Sequence, residues 1–113
     1  MIHLLVDRIR SRVAFKQTLN IGDLILTNCG EMPIYALVSD IRHNVDREAP
    51  GKWWDIDLIL LFLPPIKRRV TLNTEQLAGR EQWITNGSER VFVPLDLDSI
   101  GKRQPKLRLV KAN

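Results

Sequence analysis

Between Trp53 and Leu63 the chain alternates and then stops alternating. Asp55 and Asp57 fall on one side of an extended segment, and Trp54, Ile56 and Leu58 on the other. From Leu58 to Leu63 every position is apolar, which predicts a strand covered on both faces. Eleven residues at about 3.3 Å each reach about 36 Å, longer than a small sheet needs, so a bend or bulge is expected near the middle. Pro64-Pro65 ends the segment, because proline cannot donate to a ladder. Lys67 to Asn73 then reads as the return strand, with Val70 and Leu72 inward and Arg69 and Thr71 outward.

The same reading extends to both sides. Ile2, Leu5, Val6, Ile9 and Val13 recur at helical spacing while Ile2, Leu4 and Val6 also alternate, so the N-terminal segment is expected to be a helix or an irregular strand ending near Lys16. Leu24 to Thr27 is a short strand. Asn28 to Pro33 (NCGEMP) reads as a turn, and Ile34 to Arg42 as the next strand. His43 to Lys52 is a polar loop. Thr74 to Gly79 predicts one helical turn, capped by Thr74 and stopped by Gly79. Asn86-Gly87 is a two-residue hairpin turn between Gln82–Thr85 and a strand from Ser88 to Leu95. Lys106 to Lys111 (KLRLVK) reads as an edge strand or a flexible tail, its cations discouraging further pairing.

Six to seven short strands with one helical turn near 74–79 and a helix at the N-terminus predict a mostly β fold, a small barrel or sandwich. In strand count and spacing the pattern resembles the general SH3-like small barrel. Length fits a single β-rich domain over 1–101, followed by a basic segment over 102–113.

Charge refines this picture. The net charge is +4, but residues 17–101 hold eight cations against twelve anions. The excess belongs to the two ends: +3 over residues 1–16 and +5 over 102–113. The chain is therefore a mildly acidic body with basic flanks. The longest apolar run, Leu58 to Leu63, is far short of the roughly 20 residues that cross a bilayer, so no membrane role is expected. Asp7 and Arg8 interrupt the one apolar start. A single cysteine excludes an internal disulfide framework and fits a reducing, cytoplasmic setting.

Candidate chemistry is sparse. Cys29, His3 and His43 carry no nucleophile motif and cannot supply a four-ligand soft metal site. Asp96 to Gly101 matches a calcium loop at positions 1, 3 and 6, but Ile100 and Leu107 stand where oxygen ligands belong. Asp55 and Asp57 share a face about 7 Å apart, and their plainer account is the solvated side of a strand. No enzymatic activity, cofactor or metal is expected.

The strongest positive signal is Lys67-Arg68-Arg69, three cations directly after the rigid Pro-Pro. Read as a basic loop, and joined by Lys102, Arg103, Lys106 and Arg108, they would form an anion-binding surface, with Trp53 or Tyr35 available for stacking. The expected function is a non-enzymatic binding module for an anionic partner, nucleic acid or another polyanion. The alternative is a protein-interaction or assembly subunit that self-associates or joins a complex without nucleic acid.

Overall fold

The computed structural model describes residues 2–47, 51–80, 83–85 and 87–100. Among them the chain is mostly β, with eight strands in two antiparallel sheets. The helix α1 (Ile2–Arg10) comes first, followed by β1 (Ala14–Phe15), β2 (Leu24–Cys29), β3 (Met32–His43), β4 (Trp53–Leu60) and β5 (Ile66–Asn73). The helical turn α2 (Thr74–Leu77) leads to β6 (Trp83–Thr85), β7 (Ser88–Arg90) and β8 (Phe92–Asp96), which ends in a 3-10 turn at Leu97–Ser99. The larger sheet has the order β1-β8-β2-β3-β4-β5: a four-stranded meander, with β8 returning alongside β2. Its two ends, β1 and β5, are not paired with each other, so the sheet is not a closed barrel. β6 and β7 form a separate hairpin.

Local chemistry accounts for the turns. Gly30 takes φ +61°, which lets β2 reverse into β3 within two residues. Pairing therefore runs through Asn28↔Pro33 to Cys29↔Met32, and the six-residue turn expected from Asn28 to Pro33 is in fact strand. Pro33 is tolerated there because β4 pairs with β3 only from Ala36 onward, so its missing N–H costs no bond on that side. The cap of α2 is Asn73 rather than Thr74. The Asn73 side chain accepts from the Gln76 N–H and the Gln76 side chain accepts from the Asn73 N–H, a reciprocal capping box. Thr74 instead accepts a bond from the Trp54 indole N–H at 3.1 Å. Gly79 ends the turn at φ +75°, in close approach to β8.

Alternation persists through β4 to the end of the strand and beyond. Ile56, Leu58 and Leu60 are buried, Ile59 is half-buried, and Leu61 is 41% exposed. The uninterrupted apolar run thus did not mean cover on both faces: the outer face of this part of the sheet has no layer packed over it among the described residues. The strand also stops at Leu60, before Pro64-Pro65, and the irregularity lies in β3, between Val38 and Asp40, rather than in β4.

Two apolar clusters hold the fold together. On the inner face Ile25, Ala36, Val38, Ile56, Leu58, Leu60, Leu72 and Phe92 pack together, with Trp83 against them. On the outer face of β2 and β8, Leu26, Val93 and Leu95 are covered by Val6 and Ile9 of α1 and by Val13 and Phe15. Helix α1 stops at Arg10, short of Lys16, where the Ser11 hydroxyl donates to the Arg8 carbonyl, and the chain then pairs with β8 as β1. Strand β8 is thus buried on both sides. The segment read as an edge strand, 106–111, lies outside the described residues.

Candidate functional site

The outer face of β3, β4 and β5 is a charged network. Register sets Asp40 opposite Asp57, Arg42 opposite Asp55, and Asp57 opposite Arg69. Two carboxylates facing each other across strands would repel. Arg42 resolves this by donating to both: to Asp40, and to Asp57 at 3.1 and 3.3 Å. Arg69 Nε adds a bond to Asp57 Oδ1 at 2.7 Å. Asp55 accepts from the Thr71 hydroxyl at 2.7 Å and from Asn44 Nδ2 at 3.1 Å.

These bonds favour the ionised carboxylates. Asp57 is lowered to about 2, by Arg69 first and Arg42 second. Asp55 is lowered by Thr71 and then Asn44. Hydrogen bonding to Asp57 raises Arg42 and Arg69 in turn. The two aspartates expected to be merely solvated are therefore fully engaged in clamping three strands together.

The inner face differs. Where β5 ends the sheet, a cavity of ≈ 260 Å³ lies between β4–β5, the end of β2 and the β6–β7 hairpin. Its floor is the buried Leu58, Leu60, Leu72 and Phe92. Thr27, Asn28 and Cys29 line one side, and the other walls carry Trp83, Arg90, Arg68 and Arg69. Among the described residues none that lines it is acidic.

Strand geometry puts the charges there. Arg68 pairs with Leu58, a core residue, and so belongs to the inner face. Trp83 and Arg90 are cross-strand partners in the hairpin, so their side chains are neighbours. The hairpin is anchored by Asn28, which is buried and donates to the carbonyls of Gly30 and Glu89, both at 2.7 Å, while accepting from the Val91 N–H at 2.9 Å. Among the described residues neither Arg68 nor Arg90 has an ion-pair partner.

The three consecutive cations are thus divided. They sit in strand β5 rather than in a loop. Lys67 and Arg69 share the outer face with Ile59 and Asp57, and the Arg69 guanidinium is held by Asp57. Arg69 touches the cavity as well, but its guanidinium is held by Asp57, and of the three only Arg68 pairs with an inner-face residue, Leu58. Trp53 lies under the Arg47 guanidinium, 4.0 Å from its ring centroid, and Tyr35 is exposed on the outer face, away from the cavity. Lys102, Arg103, Lys106 and Arg108 lie outside the described residues.

Other sequence candidates do not assemble. Cys29 pairs with Met32 at one end of β3 and His43 closes the other, so the two do not meet. His43 instead stands 5.0 Å from the Trp54 ring. Asp96 accepts from the Asp98 N–H and caps the 3-10 turn. No group of side chains that could hold a metal ion occurs among the described residues, and no helix among them is long and apolar enough to cross a membrane.

Sequence reasoning missed Arg90 and the role of Trp83. The signal was present: a two-residue turn at Asn86-Gly87 sets Thr85 opposite Ser88 and hence Trp83 opposite Arg90. The chain matches no family model, no curated protein and no solved structure.

Proposed function

We propose that this chain is a non-enzymatic β module of the SH3-like type that binds an anionic partner, a nucleic acid, through its inner-face cavity. The observation that carries the reading is a cavity with the inward-facing Arg68 and Arg90 beside an indole, above an apolar floor, with neither an acidic lining residue nor an ion-pair partner for these arginines among the described residues. Guanidinium forks suit phosphate, and an aromatic wall suits a base. Binding would proceed by phosphate neutralisation with little readout of base edges. The C-terminal cations Lys102, Arg103, Lys106 and Arg108 would add long-range attraction.

The test is fluorescence anisotropy with a labelled oligonucleotide at about 50 mM salt, where such contacts are strong. The wild type should bind, and the variant with Arg68→Ala and Arg90→Ala should lose on the order of 10-fold in affinity. Absence of wild-type binding under these conditions rules the reading out.

A second reading, self-association, is favoured by one specific feature. On the outer face Leu37 pairs with Ile59, and the Leu61 N–H donates to the Tyr35 carbonyl, which gathers the exposed Tyr35, Leu37 and Leu61 around the half-buried Ile59. Size-exclusion chromatography across a salt series separates the two readings. A dimer whose elution does not change with salt, together with no oligonucleotide binding, is the signature of the second.

A further inference from the structure

Resting on the nucleic-acid reading above, we propose that the cavity takes one unstacked base of a single strand, laid against the Trp83 indole, with the neighbouring phosphates on Arg68 and Arg90. Size is the first argument. At ≈ 260 Å³ the cavity falls below the roughly 300–1,000 Å³ of sites for drug-sized ligands. That is the scale of one base with its sugar, and too small for a stacked pair. The walls leave few polar groups free. Asn28 has both amide hydrogens committed to carbonyls and its oxygen to the Val91 N–H. The Thr27 hydroxyl is donated to the Val91 carbonyl at 2.8 Å. The polar wall is occupied by the fold, so the cavity offers stacking and charge rather than a code for base identity.

Access follows from topology. The sheet ends at β5, so a strand can enter across Arg68 without displacing any described element. Arg90, next to Trp83, then meets the backbone on the far side of the inserted base. A duplex offers the same phosphates but keeps its bases stacked. Extracting one would cost it on the order of 100-fold in affinity relative to a single strand.

Cys29 makes the occupancy directly measurable. It lines the cavity, is half-buried, and is the only cysteine in the chain. The experiment compares a labelled single strand of about 12 nucleotides with the corresponding duplex at about 50 mM salt. It follows both affinity and the rate at which iodoacetamide alkylates Cys29 in the wild-type protein. The expected result is tighter binding of the single strand and several-fold slower alkylation when it is bound, with the duplex giving little protection. Trp83→Leu, which keeps apolar packing and removes the ring, should weaken single-strand binding on the order of 10-fold.

Equal or weaker binding of the single strand, or an alkylation rate that bound strand leaves unchanged, overturns the single-base proposal while nucleic-acid binding itself stands. Failure of both single strand and duplex to bind overturns the broader reading as well.

Discussion

On the outer face of the sheet Arg69 is tied to Asp57, and Asp57 to Arg42, so both arginines there are already held by carboxylates. On the inner face, one residue earlier in the same strand, Arg68 stands beside a cavity with an apolar floor and, among the described residues, no carboxylate in its walls. The two faces put arginine to different uses. Outside, it reconciles carboxylates that register forces together. Inside, it leaves a positive charge next to an indole. A run of cations in a sequence therefore says little until the strand period divides it, because alternate residues answer to different surroundings.

The largest contrast between the faces is in packing. Leu58→Ala empties a buried position and should destabilise the protein by about 3 kcal/mol in urea unfolding. Leu61→Ala, three residues on and 41% exposed, should change stability by less than about 0.5 kcal/mol. Similar losses at the two sites would mean that the outer face is covered after all. Next comes the support of the inner wall. Asn28→Ala strands the Val91 N–H and two carbonyls, and should cost about 2 kcal/mol. It should also loosen the β6–β7 hairpin, seen as faster amide exchange at Val91.

The smallest effect sharpens the outer face. Asp57 has a folded value of about 2, below the ordinary carboxylate range. Its contribution to stability is therefore present above about pH 4 and is lost as pH falls through about 2. Comparing the melting temperature of wild type and Asp57→Asn against pH should show a wild-type advantage that is constant above about pH 4 and shrinks below it. An advantage independent of pH across that window would remove the ion pairs as its cause.

Much of this was legible in the chain because the deciding interactions are local. The alternation Trp54, Ile56, Leu58 identified the inner face and Asn86-Gly87 the hairpin, while the helical spacing of Leu5, Val6 and Ile9 pointed to α1 but left a strand open, because Ile2, Leu4 and Val6 also alternate. What escaped depended on distant partners. Six apolar residues from Leu58 to Leu63 look the same whether or not a second layer lies over them, and here it covers β2 and β8 instead. Asp55 and Asp57 read as solvated because Arg42, Arg69 and Thr71 reach them from other strands and Asn44 from just past the end of β3. Arg90 was passed over because the hairpin was treated as a scaffold and its register was not followed to Trp83.

The central claim is that the inner-face arginines, and not the outer ones, contact phosphate. The dependence of single-strand affinity on salt tests it most directly, since each phosphate contact to a single strand contributes about 0.7 to the slope of log affinity against log salt. Replacing Arg68 and Arg90 together by alanine should reduce that slope by roughly 1 to 2, while Arg69→Ala should leave it unchanged and affect only stability. A slope untouched by the double replacement, or reduced as much by Arg69→Ala, would contradict the account.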